Sequence, residues 1–195
     1  MDYENTGARA RVMVGWNEEI KKELGYCGNN VFIGYNTIFT NPKEVFLHDN
    51  VRIDPFCLIT TGLDVDSYCQ ICSHVVIGGG SKHNVTLGQW CFIGYGSKLF
   101  CASEDYSGNE GPVNEFWGHN KIFRGDITFK DYSGVASDVM VMPNVTIPEG
   151  CTVGAKSFVY TRNILEPWKV FIGNPLEFKK DRNKNNVLIL ADEWR

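Results

Sequence analysis

Long apolar runs are missing from this sequence. Nowhere does it approach the ~20 consecutive apolar residues that cross a bilayer. Its N-terminus shows no pattern of basic residues, apolar core and small residues, so no secretory signal is read and no membrane insertion is expected. Basic charge is scarce: the net charge is -4, and the single basic cluster is Lys179-Lys180-Asp181-Arg182-Asn183-Lys184 near the end. Nucleic acid is therefore not an expected partner. Paired CxxC motifs are also lacking. The seven cysteines are an odd number, and Cys69/Cys72 is the one spacing of that kind. That argues against a disulfide framework and a structural zinc site, and for a reducing, cytoplasmic setting. Finally, there is no long run of helix formers from which to build a bundle.

What the sequence does have is a beat of six. Leu47, Ile53, Ile59, Val65, Ile71 and Ile77 are each six residues apart. Four positions after each stands a second small or aliphatic residue: Val51, Cys57, Leu63, Cys69, Val75 and Ser81. The beat continues through Leu87, Ile93 and Leu99, with Cys91, Ser97 and Ser103 on the second track, and returns at Val135, Val141, Ile147, Val153, Val159 and Leu165. Neither the 3.6-residue helical period nor the two-residue strand period sustains a period of six. A short strand followed by a corner does, which predicts a solenoid whose coils pair through backbone hydrogen bonds. Glycines and asparagines fall where corners are needed and tolerate left-handed backbone.

This pattern resembles the hexapeptide repeat of the left-handed parallel β-helix acyltransferases. The stretches VFLHDNVRIDPFCLI (45–59), FCASEDYSG (100–108), VMVMPNVTIPEGCTVGAKSFVYTRNILEPW (139–168) and FIGNPLEFKK (171–180) are most similar to the maltose/galactoside-type sugar acetyltransferases. The expected fold is an all-β, left-handed parallel β-helix forming a single domain over 1–195. It divides into a cap (1–26), the helix proper (27–168) with a loop (104–126), and a tail (169–195). Asn17, Glu18 and Glu19 ahead of IKKEL, with Gly25 behind, read as a short capped helix, and a second helix is expected near the end. The resemblance implies acetyl-CoA as acyl donor, a sugar or nucleotide-linked sugar as acceptor, and a homotrimer with active sites between subunits. Two other readings share the fold: a non-catalytic binding or scaffold module, and a γ-type carbonic anhydrase, which needs three zinc histidines.

Acyl transfer to a hydroxyl or amine needs a base, oxyanion stabilisation and aligned substrates. Histidine suits the base, and the sequence has four. The resembling enzymes carry a catalytic histidine at the loop's start; here Cys101-Ala102-Ser103-Glu104 stands there, so Glu104 takes its place. His74 is the first candidate base. With the eighteen residues per coil that the resemblance implies, it stacks on Phe56, at the corner that Asp54 also marks, and if the ten residues from Ile77 to Leu87 are a coil two residues short, Trp90 projects near the same edge. His83, in the irregular GGGSKHN, is the second, expected beneath the loop's root. Asp54, Trp90, Asp105, Tyr106 and Trp117 are candidate acceptor contacts, because carboxylates bind hydroxyls and aromatic rings bury sugar faces. On the cofactor side the resemblance implies Ala136, Ser137, Gly154 and Ala155 at small corners, Thr161 and Arg162, Pro175 in GNPLEFKK, and Lys179 and Lys180 toward phosphates.

Overall fold

The computed structural model describes residues 18–107 and 122–194. The expected solenoid is present: a parallel β-helix of about seven turns, followed by a C-terminal helix, Lys184–Glu193. One face stacks Phe32–Ile33, Arg52–Ile53, Gln70–Ile71, Phe92–Ile93, Gly134–Val135, Thr152–Val153 and Lys169–Ile172. The other two faces form a continuous sheet, because Leu58–Val65 and Val76–Leu87 run across the corner between them. The second face pairs Ile38, Leu58, Val76, Lys98, Met140 and Phe158 in turn. The third carries Phe46, Asp64, Thr86, Thr128 and Thr146.

The beat of six is the core. Leu47, Ile53, Ile59, Val65, Ile71, Ile77, Leu87, Ile93, Leu99, Val135, Val141, Ile147, Val153 and Val159 are all at most 1% exposed. Each fully buried aliphatic side chain contributes about 1.5–3 kcal/mol. The short second track does more than fill space. Its hydroxyls and thiols point at corner carbonyls: Cys57 Sγ donates to Cys72 O (3.2 Å), Cys69 Sγ to Gly88 O (2.9 Å), Cys91 Sγ to Lys130 O (3.1 Å), Ser97 Oγ to Ala136 O (2.9 Å) and Ser157 Oγ to Gly154 O (2.7 Å). These carbonyls face a dry interior and need partners. All seven cysteines are free thiols, and burial pushes Cys57, Cys101 and Cys151 up to about 12.

Two of the three corners turn through a left-handed residue in coil after coil, whereas the third does so at Gly80 and Asn144. The first column is Asn30, Asn50, Tyr68, Trp90, Tyr132, Gly150 and Trp168; the second is Asn36, Phe56, His74, Gly96, Asp138 and Lys156. Aromatic residues occupy many of these positions because stacking down the column offsets the left-handed strain. Tyr68 lies on Trp90 at 4.5 Å and 4°, and Phe56 on His74 at 5.3 Å and 6°. Gly150 is required: a side chain there would run into the Trp168 ring at 2.3 Å.

Several expectations are corrected. The interval from Ile77 to Leu87 is not a shortened coil. Ile77 pairs with Ile59 and Leu87 with Val65, so ten positions replace six and the coil is four residues longer. Val85 holds the inward site, fully buried. His74 and Trp90 consequently sit on different corners, and no edge unites Asp54, His74 and Trp90. Ser103 belongs to a hairpin, not to the second track. The coil resumes after the excursion at Ile127–Phe129, ahead of Val135. The N-terminal helix is one 3-10 turn, Ile20–Lys22, and Asn17 lies outside the described residues. The tail first forms an antiparallel strand, Glu177–Asp181, on Lys169–Ile172, which prolongs the coil past 168.

Candidate active site

The third corner is where the count departs from eighteen. Along the first face, successive coils advance by 20, 18, 22, 42, 18 and 18 residues: Ile33, Ile53, Ile71, Ile93, Val135, Val153, Phe171. Every extra residue lies at one corner. They form the 3-10 turn Pro42–Glu44, the bulge around 79–83 and the excursion after Cys101. The coil between the first two, at Thr61 and Gly62, stays flat. The excursion closes on itself as a hairpin, Ala102–Glu104 against Ile122–Arg124.

This unequal stacking carves two cavities. The upper one, about 430 Å³, lies between the bulge and the hairpin and is lined by Gly79, Gly80, Lys82, Ala102, Ser103, Glu104, Ile122 and Arg124. The lower one, about 470 Å³, is a notch above the flat coil. Lys82 borders both. The bulge is tied down from within: the buried Thr61 hydroxyl lies 2.7 Å from both Gly80 O and His83 O. Arg124 donates to Gly79 O (3.2 Å) and so pins the hairpin to the bulge.

His83 stands where the bulge meets the end of the excursion. Its Nδ1 is 3.0 Å from Asp126 Oδ1, which also accepts the Asn84 backbone N–H at 3.0 Å. A carboxylate only accepts, so Nδ1 is the donor, and in the neutral imidazole this assigns the lone pair to Nε2. The Asn84 N–H, and secondarily His83, hold the Asp126 carboxyl below its ordinary value. His83 thus lies beneath the excursion's root, with an orienting carboxylate that the sequence reading missed. The signal was present: Asp126 immediately precedes Ile127-x-Phe129, the overlooked return of the beat.

The remaining candidates disperse. Glu104 lines the upper cavity and accepts the Tyr106 hydroxyl at 2.9 Å; Asp105 accepts from the Ser107 N–H. Trp117 lies outside the described residues, as does the fourth histidine, His119, in the same loop. His74 is exposed at its corner, where its ring contact is the stack on Phe56. Asp54 is not open to a ligand on this chain. Its side chain is 3% exposed, held by Arg52 Nε (2.6 Å) and Gln70 Nε2 (3.2 Å). Trp90 sits on the far corner, against the C-terminal helix with Tyr132 and Val187. Ala136, Ser137, Gly154 and Ala155 stack on the His74 corner, whereas Thr161 and Arg162 are exposed at the third corner of the last coil. Pro175, Lys179 and Lys180 are exposed on the tail; Arg182 instead turns inward and donates to Tyr132 O and to Gly150 O (2.9 Å).

Among the described residues the three histidines stand apart: His48 pairs with Asp64 at 3.5 Å, His83 with Asp126, and His74 stacks on another corner. The described residues include no group of three or more His, Cys, Asp or Glu able to hold a metal.

No family model matches the chain. It is 29% identical over 172 residues to the dTDP-4-amino-4,6-dideoxy-D-glucose acyltransferase of Escherichia coli, covering 84% of this chain and 86% of that one. Among solved structures it superposes on AntD, an N-acyltransferase from Bacillus cereus in complex with dTDP and 3-hydroxybutyryl-CoA. The TM-score is 0.81 at 29% identity, over 91% of this chain and 93% of that one. A maltose O-acetyltransferase from Clostridium difficile matches at 0.54 and 13% identity, over 94% and 80%, and shares the fold. Solenoid, beat and relatives together are consistent with a hexapeptide-repeat sugar acetyltransferase.

Proposed function

We propose that the protein transfers an acyl group from acyl-CoA to the amino group of a nucleotide-linked sugar, with His83 as general base and Asp126 as its orienter. The observation that carries this reading is the His83–Asp126 pair in a corner groove bounded by two cavities. The neutral amine attacks the thioester carbonyl; the C–N bond forms, the C–S bond breaks, and His83 Nε2 takes the proton that the amine sheds. Passing that proton to the departing thiolate restores the base. The relatives that act on amino sugars with CoA donors support nitrogen over oxygen as the nucleophile.

The groove is completed by a neighbouring copy in this reading. The second face presents Ile38 (57% exposed) and Leu58 (37%) outward, flanked by exposed Tyr35, Phe56 and Tyr95. The third face shows one exposed apolar ring, Phe46, and otherwise Asp64, Thr86, Thr128 and Thr146. An apolar face of that kind seeks a partner. Its two edges are the His74 corner and the bulged corner, so threefold closure around it sets one copy's His74, Ser137 and Ala155 opposite the next copy's His83. His74 then contributes to acceptor or donor binding across the interface, beside Ala136 and Gly154, with Thr161, Arg162, Pro175, Lys179 and Lys180 toward the CoA phosphates. Reduced cysteines throughout favour the cytoplasm.

The test is CoA-thiol release with acetyl-CoA and longer acyl-CoAs against amino- and hydroxy-sugar nucleotides, with the mass of the assembly measured in parallel. Turnover of an amino-sugar nucleotide is expected. Turnover confined to hydroxyl acceptors, or no acyl-CoA binding by calorimetry, overturns the reading.

A further inference from the structure

The lower cavity has a chemistry of its own. Its floor is Gly62 on the flat coil; its lower wall is the turn carrying Lys43 and Glu44, its side the ring of Phe46, its upper wall Lys82 and His83. Three carboxylates border it. Asp64 is paired with His48 and Asp126 with His83. Glu44 is half-buried and lines the cavity, and its carboxylate has no hydrogen-bond or ion-pair partner among the described residues. A half-buried carboxylate without a partner loses hydration and gains nothing in return, unless a ligand supplies donors. Beside it Phe46 leaves its ring 41% exposed, an aromatic face of the kind that packs against the apolar side of a sugar. Lys43 and Lys82 are exposed at opposite walls and bring positive charge to the rim.

We infer that this notch, set by the flat coil between two lengthened ones, is the acceptor-sugar subsite, and that Glu44 is its specificity-determining residue. Glu44 accepts hydrogen bonds from sugar hydroxyls, Phe46 packs on the ring, and Lys43 and Lys82 meet the anionic group to which the sugar is joined. The sugar's amine then lies on the wall of His83. The inference rests on the proposed reaction for the direction of transfer, and on the cavity alone for binding.

Binding and turnover are therefore measured separately. An amino-sugar nucleoside diphosphate is titrated into wild type, Glu44→Gln and Phe46→Ala by calorimetry without donor, and the KM values for acceptor and acyl-CoA are measured for each. Removing one charge-assisted hydrogen bond is expected to weaken acceptor binding and raise its KM about tenfold or more. The acyl-CoA KM and the thermal midpoint stay as in wild type. Unchanged acceptor affinity in Glu44→Gln overturns the subsite even where turnover is intact. Equal loss of acceptor and donor affinity overturns it too, since the residue would then support the fold. No binding of the sugar nucleotide to wild type overturns the subsite and the proposed acceptor together; binding without turnover overturns only the reaction.

Discussion

The buried hydroxyls at the corners, Thr37, Thr61, Ser97, Ser133 and Ser157, each have a definite partner, and that gives them a measurable weight. Ser97 is fully buried; its hydroxyl donates to Ala136 O and accepts the Val139 N–H at 3.1 Å. Ser97→Ala leaves both backbone groups without a partner and is expected to cost about 1–3 kcal/mol in urea denaturation. Ser97→Cys, which keeps a donor as neighbouring coils do, should cost less. At the site, His83→Asn is expected to lower kcat by about 10²–10⁴-fold. Asp126→Asn should lower it less, with folding intact and a shifted pH–rate profile. An equal and full loss in His74→Ala alone would assign the base to His74. Asp126 has its carboxyl held below the ordinary value, so its contribution is present above the unfolded carboxylate pKa of ~3.9 and is lost as pH falls through the lower folded value. The side chain is 67% exposed, which keeps that contribution to stability small. Asp126→Asn should remove it, flattening the acid side of the stability curve in a denaturation series.

At the level of elements, the strands came straight from the beat, because an inward aliphatic every six residues leaves a solenoid few alternatives. The tail did not. Lys179-Lys180-Asp181-Arg182 reads as a solvated basic run, yet Arg182 is the clasp between the tail and the aromatic corner. Its guanidinium is held by Tyr132 O and Gly150 O and lies 6.0 Å from the Trp168 ring. Arg182→Met should lower stability by about 2 kcal/mol, since two carbonyls lose a charged donor. It should also speed hydrogen exchange in Glu177–Asp181 and the C-terminal helix first. A matching loss of protection at the His83 bulge would contradict this, because the two corners share no contact through Arg182. The bulge escapes the periodicity for a related reason. Periodicity counts residues but does not say whether ten positions are a stretched six or a contracted twelve; only the pairing of Leu87 with Val65 decides.

Over the whole molecule, the fold was legible and the placing of chemistry around it was legible in part. His83 beneath the loop root follows from the sequence; Asp126, Arg124 and Glu44 do not, since nothing local marks the end of an excursion or a turn as a cavity wall. Coils touch only their neighbours, so a change in one corner's length need not disturb the stack. Deleting Gly80–His83 restores eighteen residues to that coil. The expected product is a folded protein with a cooperative thermal transition and no acyl transfer. Failure to fold would show instead that the Thr61 clasp across the bulge is needed to close the coil.

The lengths of that one corner have a wider consequence. Two edges of the prism keep their residue count through every described coil while the third takes on turns, bulges and a hairpin at will. Such an edge behaves as a graft site. If the proposed acceptor subsite holds, transplanting two short segments, around Lys43–Glu44 and Gly79–Asn84, onto an unaltered stem is expected to carry acceptor preference with it.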